Sequence, residues 1–185
     1  MRAHRTPLIR RFVITCAGVI AFALSGQRAV LRAEILDRVL AVVANNVITL
    51  TDVNAAQDLG LQKAAAGAPD PIRAVLSQLI DRELVLVEVE RYAPPEPGAE
   101  AVDGELAAVR ARFASPADFE AVLARAGIDQ TRLREWLRED LRIRAYEEQR
   151  FAAAGDRRDQ LVADWIAALR RRGDIIDLYL PTTRN

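Results

Sequence analysis

The sequence has very few of the side chains that enzymes use for covalent and metal chemistry. Its single cysteine, histidine and methionine are Cys16, His4 and Met1, which all lie in the N-terminal region. The rest of the chain offers no thiol and no imidazole, and Lys63 is its one lysine. Downstream of that region the sequence therefore excludes a Ser-His-Asp or Cys-His catalytic site, a His/Cys zinc site and an internal disulfide.

The first 25 residues have the pattern of a secretory signal peptide. Four arginines precede a run of thirteen uncharged, mostly apolar residues over 12–24, and small residues follow at Ser25 and Gly26. This run is shorter than the about 20 apolar residues that a membrane-spanning helix needs. We therefore predict that the protein is exported and that residues 1–25 are removed. A retained membrane anchor is the alternative.

Neither sign of charge dominates the chain. It has 26 basic and 26 acidic residues, and removal of the four arginines of the signal peptide leaves 22 basic residues and a net charge of −4. Such a balance argues against a nucleic-acid partner and against a strong patch for anionic lipids. About 160 residues remain, which is enough for one domain, and without disulfides its stability has to come from packing.

Residues 71–92 form the longest uninterrupted helical pattern. They contain no glycine, and their one proline, Pro71, stands at the first position, where a helix tolerates it. Apolar residues cover most of the circumference at helical spacing, namely Ile72, Val75, Leu76, Leu79, Ile80, Leu84, Val85, Leu86, Val87 and Val89. The pattern predicts a core helix on which other elements pack. The side predicted to face water carries Arg73, Ser77, Asp81, Glu88 and Arg91.

Two short β patterns lie far apart in the chain. Residues 37–50 read DRVLAVVANNVITL, which is typical of a hairpin with a type I′ turn at Asn45-Asn46. Residues 175–180 alternate, with Asp177 and Tyr179 on one side and three aliphatic residues, Ile176, Leu178 and Leu180, on the other. Because an isolated two-stranded hairpin is marginal in water, we predict that this C-terminal strand completes it.

Five further helices are predicted around the central one. The first is capped by Thr51 or its neighbour and runs to about residue 66, and the third carries an apolar face from Val102 to Phe113. The others are predicted between Ser115 and Gly127, over about 130–151 after an Asp129 cap, and over about 157–172. The fold class is therefore mainly α, with a small β-hairpin completed by a C-terminal strand.

Four stretches of the sequence, taken in order, carry a family resemblance. They read DRVLAVVANNVITLTDV, QLIDRELVLVEVERY, DFEAVLARAGIDQTRLREWLREDLRIRAYEE and DWIAALRRRGDIIDLYL. The first three resemble the N-terminal core domain of SurA-type periplasmic chaperones, and the last is similar to that family's C-terminal helix and closing strand. The resemblance implies a helical chaperone domain over 34–185, divided into 34–151 and a C-terminal helix and strand at 157–180. It also implies binding of unfolded outer-membrane or secreted polypeptides without ATP.

The parvulin-type prolyl isomerase domain that this family usually carries has no counterpart in the chain. In the family it stands between the fifth helix and the last one, where this sequence has only residues 152–156. We therefore expect no isomerase activity, no cofactor and no metal site. The resemblance carries over no catalytic residue, and the protein is expected not to be an enzyme.

Residues around the turns between the third, fourth and fifth helices are the candidates for peptide binding. They are Phe113, Phe119, Leu133 and Trp136, and aromatic side chains are enriched at binding hot spots. Core packing is the competing interpretation for Trp136 and Trp165, because both lie on apolar helical stripes. Among the carboxylates, Glu135, Glu139 and Asp140 are interpreted as solvated or ion-paired rather than as an acid–base pair.

Three functions remain open at this point. The first is an ATP-independent holdase that shields apolar segments of exported chains. The second is a structural or adaptor module of the cell envelope with one defined partner, including a dimer that exchanges its C-terminal helix and strand across residues 152–156. The third, an acid-dependent hydrolase, is the least supported, because no spacing singles out a pair of carboxylates.

Overall fold

The chain folds into helices packed around one long helix and closed on one side by a small sheet. The computed structural model describes residues 37–180, so the predicted signal peptide lies outside the described residues. The elements are β1 (Val39–Val43), β2 (Asn46–Thr49), α1 (Leu50–Asp58), α2 (Pro71–Tyr92), α3 (Ala99–Arg110), α4 (Pro116–Ala126), α5 (Gln130–Arg150), α6 (Arg158–Arg172) and β3 (Ile175–Asp177). The mainly α fold class with a small sheet is confirmed. Within residues 37–180 no helix combines the length and the apolarity that a membrane crossing requires.

The hairpin turn lies one residue earlier than predicted. Ala44 and Asn45 form it with φ of 47° and 73°, and Val43 pairs with Asn46. A type I′ turn needs positive φ at both central residues, and the predicted turn at Asn45-Asn46 was therefore wrong by one position. The core decides the register: the observed pairing buries Ile48, and a one-residue shift would turn its side chain to the solvent.

The third strand joins the hairpin as predicted. The strand order is β2-β1-β3, and Val42 in the middle strand pairs with both Val47 and Ile176. The strand is shorter than the predicted 175–180, because β3 ends at Asp177. Beyond it, the hydroxyl of Tyr179 donates a hydrogen bond to Asp70 at 2.8 Å, so side-chain contacts hold this segment.

The first helix begins and ends earlier than predicted. Thr49, not Thr51 or its neighbour, is the N-cap, and it exchanges hydrogen bonds with Asp52 in a capping box. The helix stops at Asp58 rather than near residue 66, because Gly60 has a φ of +67°, which is outside the helical region. Leu59 is buried directly at this bend, and its burial fixes where the chain leaves the helix.

The central helix α2 has the predicted bounds. Asp70 caps its first turn by accepting a hydrogen bond from the backbone N–H of Arg73 at 2.9 Å, and Pro71 occupies the first helical position. One prediction for its outer face was wrong: Glu88 is 6% exposed rather than facing water. Its carboxylate is paired with Arg91 at 3.1 Å and with Arg172 of α6 at 3.2 Å, which compensates for its burial.

The buried apolar residues form two clusters. The larger one lies between the sheet, α1, α2, α5 and α6 and includes Val75, Val89, Trp136 and Trp165. The smaller one fills the space between α3, α4 and α5. Its members are Leu59, Val102, Leu106, Val109, Phe119, Val122, Leu123, Leu133 and Leu137.

The C-terminal segment is part of this core. Trp165 and Leu169 of α6 are buried, and Arg170 donates hydrogen bonds to Asp81 and to the carbonyl of Ser77 on α2. A Cβ atom placed on Gly173 would lie 2.5 Å from Cδ2 of Leu84, so the chain passes α2 where a larger residue does not fit. Core packing, the competing interpretation for Trp136 and Trp165, is confirmed for both.

Candidate functional site

The four residues predicted to bind peptide do not form one surface. Phe119 and Leu133 are 1% and 0% exposed and belong to the smaller cluster, whereas Trp136 is 4% exposed and belongs to the larger one. Phe113 is half-buried, with its ring centroid 5.6 Å from that of Phe119. Phe113 is therefore the only one of the four with an appreciably exposed side chain.

Phe113 borders a depression at the turn between α3 and α4. The depression has a volume of ≈ 520 Å³. Its walls are mostly backbone and small side chains, with Arg110 and Glu120 as the charged groups. Of the four residues predicted to bind peptide, Phe113 and Phe119 therefore meet at this depression.

A second apolar surface lies on the solvent side of the sheet. Among residues 37–180 the large hydrophobic side chains that are exposed are Val39, Val47, Tyr92, Leu161, Ile176, Leu178 and Leu180, and all but two belong to the strands or to the chain directly after β3. Val47 and Ile176, both 52% exposed, flank Val42 across the three strands. We call Val42, Val47, Ile176 and Leu178 the outer sheet face.

The alternation of side chains along the strands explains which residues form the outer sheet face. Val43 and Ile48 point into the core, so their neighbours Val42 and Val47 point outward. In the last strand the inward side is fixed by polar contacts: Asp177 is paired with Arg73, and Tyr179 is bonded to Asp70. Ile176 is therefore turned to the solvent together with the aliphatic residues that follow it.

A second concave surface, which we call the central cleft, runs between α2, α3, α5, α6 and residues 60–62. It has a volume of ≈ 370 Å³. Its apolar part consists of Leu61, Val85, Val109, Leu137, Ile143 and Ile166. Its charged part consists of Asp81, Arg82, Glu105, Arg112, Asp140, Arg144 and Glu147. The cleft thus combines an aliphatic surface with charges of both signs.

Arg82 lies at the base of this cleft in a buried ion network. Its guanidinium donates to Asp140 and Glu139 at 2.8 Å each, to Glu83 at 3.1 Å and to the carbonyl of Trp136 at 3.2 Å. It also stacks 5.3 Å from the centroid of the Trp136 ring. One cation therefore serves three carboxylates that come from two helices, and it ties α2 to α5.

Burial and charge act in opposite directions on this network. Burial raises the pKa of Glu83 and of Asp140, while Arg82 lowers both in part. Burial alone would lower the pKa of Arg82, but Asp140 and Glu139 outweigh it and raise the pKa of the guanidinium. Glu139 and Asp140 are ion-paired, as the sequence predicted, and Glu135 is paired with Arg132 at 3.5 Å.

The chemistry available at these two surfaces is that of binding. Two of the carboxylates whose pKa burial raises, Glu83 and Asp140, each accept a hydrogen bond from Arg82. Residues 37–180 contain no cluster of three or more side chains able to hold a metal ion. The outer sheet face offers apolar area without polar geometry, and the central cleft adds ion pairing to apolar contact.

Several residues of these surfaces were not singled out from the sequence. Arg82 looks like an ordinary charged position of an amphipathic helix, and its burial depends on partners on α5 that are distant in the chain. Glu147 looks the same in the sequence, and only the structure shows that it is half-buried in the cleft. The exposure of Val47 and Ile176 could be predicted in part from the sequence. Once the register is known, the alternation along each strand turns their side chains away from the core.

Comparison with known proteins adds no relative: no protein-family model matches the chain, and a search of curated proteins gives no match. The interpretation of function therefore rests on the geometry of the two surfaces and on the sequence segments quoted above.

Proposed function

We propose that the protein is an ATP-independent periplasmic chaperone that holds unfolded outer-membrane or secreted polypeptides on its outer sheet face. The observation that carries this proposal is the concentration of exposed aliphatic side chains on one small sheet. Contiguous exposed apolar surface of this kind marks interaction sites in soluble proteins. The resemblance to SurA-type chaperones supports the same function, and holding a client requires no catalytic residue.

The proposed binding is weak and promiscuous. Covering apolar surface yields about 25 cal/mol per Å², and the gain does not depend on the identity of the client side chain. Ordering a flexible client opposes this gain, so we expect affinities of about micromolar order. Both exposed strands, β2 and β3, are short, at four and three residues, so the backbone edges add few hydrogen bonds to a client.

The test is suppression of aggregation of an unfolded outer-membrane protein. Replacing Val47 and Ile176 together by Ser should raise the concentration needed for half suppression at least about tenfold, because burial of the two side chains against the client contributes more than the about 1.4 kcal/mol that corresponds to a tenfold change in affinity. Leu161→Ser is the matched control, since Leu161 is an exposed aliphatic residue on α6 rather than on the sheet. Equal suppression by the double variant and the control would contradict the proposal.

The adaptor function remains the second candidate, and one observation favours it. The last helix and strand are joined to α5 by a short segment that contains a 3-10 turn, Gly155–Arg157, and they pack into the core of the preceding residues. A segment so placed is able to exchange between two copies. Light scattering distinguishes the two functions: a stable dimer with no effect on client aggregation would favour the adaptor.

A further inference from the structure

The central cleft contains one carboxylate whose charge has no partner. Glu147 lies on the C-terminal half of α5, is half-buried and lines the cleft beside Ile143 and Ile166. Within the part of the chain that the structure describes, its carboxylate makes no ion pair. The positive charge of Arg158 on α6 lowers the pKa of Glu147 in part, but no salt bridge joins the two side chains. Burial raises the pKa of Glu147, as expected for a carboxylate removed from water without a compensating contact.

Each of the other carboxylates that line the cleft is paired with an arginine. Asp81 is paired with Arg170, and the Oε1 of Glu105 lies 2.8 Å from Nη2 of Arg144. Asp140 is held by Arg82, as described above.

Arg112 donates to the carbonyls of Leu59 and Gly60 at 2.9 Å each, and these carbonyls would otherwise lack a donor at the bend after α1. Among the residues that line the cleft, Glu147 is thus the one carboxylate without an arginine partner, and it lies at the end of the cleft that faces α6.

The apolar part of the cleft defines the rest of the ligand. Leu137, Asp140, Arg144 and Glu147 follow each other along one side of α5, over ten residues or about 15 Å. That length matches four to five residues of extended polypeptide at about 3.3 Å each. A small amine would leave the aliphatic surface uncovered, whereas a peptide with aliphatic residues next to a basic one covers both.

We propose that the central cleft binds a short extended segment of polypeptide in which an arginine or lysine side chain pairs with Glu147 and its aliphatic neighbours contact Val85, Ile143 and Ile166. The inference goes beyond the proposed function, because it concerns a different surface and selects one side chain. A client held loosely on the outer sheet face would gain sequence preference from the cleft.

The experiment compares capped pentapeptides by isothermal titration calorimetry. The probe carries one arginine between aliphatic residues, and its counterpart carries norleucine at the same position. We expect the arginine peptide to bind about tenfold more tightly, as for a hydrogen bond to a charged group in a partly buried site. Glu147→Gln should abolish this preference and leave the affinity for the norleucine peptide unchanged.

Glu148→Gln is the matched control, because Glu148 is the next residue of α5 and is exposed. It should keep the tenfold preference. Equal affinity for both peptides, or an undiminished preference in Glu147→Gln, would overturn the inference. The double variant of the outer sheet face separates this result from the proposed function: it should lose suppression of aggregation and keep the preference for arginine.

Discussion

At the scale of single residues, the buried ions of α2 are the least expected part of the molecule. Arg82 and Glu88 are charged residues on the long central helix, whose apolar residues cover most of its circumference, and both are buried. Each is compensated by partners on other helices: Arg82 by α5, and Glu88 by Arg172 of α6. Desolvating a charge is costly, so such residues are tolerated only where the partner geometry is complete.

Removing Arg82 should therefore strongly destabilise the protein. Arg82→Ala leaves the carboxylates of Glu83, Glu139 and Asp140 without their shared cation, and breaking a buried pair in this way costs about 3–5 kcal/mol. Urea unfolding followed by circular dichroism measures the loss. Arg132→Ala removes an exposed ion pair with Glu135 and should cost no more than about 1 kcal/mol. Similar losses for both variants would show that the network contributes no more than a surface pair.

At the scale of elements, the closest packing is that of the end of α6 against α2. Gly173 stops α6 while its backbone N–H donates to the carbonyl of Leu169 at 2.7 Å. The absence of a side chain at this residue lets Leu84 fill the space beside it. The turn into the last strand thus depends on size rather than on backbone conformation.

Gly173→Ala should destabilise the protein by about 1–3 kcal/mol, because the added methyl group overlaps Leu84 and the carbonyl of Leu169. Gly104→Ala should have the opposite sign. It adds the same methyl group inside α3, where nothing lies within 4 Å, and replacing a helix-interior glycine stabilises by roughly 0.5–1 kcal/mol. Thermal melts of the two variants provide the comparison, and a shift in the same direction for both would contradict the packing argument.

The elements that the sequence predicted well are those with local stop and start residues. Pro71 begins α2, and Gly127, with a φ of +68°, ends α4, because each residue restricts or permits a backbone conformation by itself. The early end of α1 and the turn at Ala44 were not predictable in the same way. They depend on which side chain, Leu59 or Ile48, reaches a core assembled from distant parts of the chain.

The candidate surfaces were harder to predict for a related reason. Helical spacing indicates which residues are apolar, but not which apolar residues the other elements leave uncovered. Trp136 and Phe119 follow the same pattern as surface anchors would, and both are buried by neighbouring helices. The exposed residues of β3 became identifiable only from the contacts of Asp177 and Tyr179 with α2 and its N-cap.

At the scale of the whole molecule, the C-terminal segment stabilises the fold through an aromatic cluster. The Trp165 ring lies 5.9 Å from that of Tyr146 and 5.7 Å from that of Phe151, with the guanidinium of Arg150 5.1 Å above it. These contacts join α6 to the end of α5, and β3 joins the same segment to the hairpin. Residues 158–180 are therefore expected to fold only together with the rest.

Trp165→Ala should cost about 3–5 kcal/mol, because it leaves a cavity among Tyr146, Phe151 and the core. Deletion of residues from 157 onward should remove the cooperative thermal transition. Leu161→Ala, an exposed position of the same helix, is the control and should change stability by no more than about 0.5 kcal/mol. A truncated chain with an unchanged melting temperature would show that the segment is dispensable.

The order of the strands also determines when the molecule can finish folding. Val42, in the second half of the first strand, meets Val47 almost at once, but its other neighbour, Ile176, is 134 residues further along the chain. Contacts between residues so far apart in the sequence form late. Until they form, the first strand has an unpaired edge that can pair with any other extended chain. During synthesis the growing protein is therefore itself an incompletely folded polypeptide with an exposed strand edge. This edge can be covered only after β3 has been synthesised.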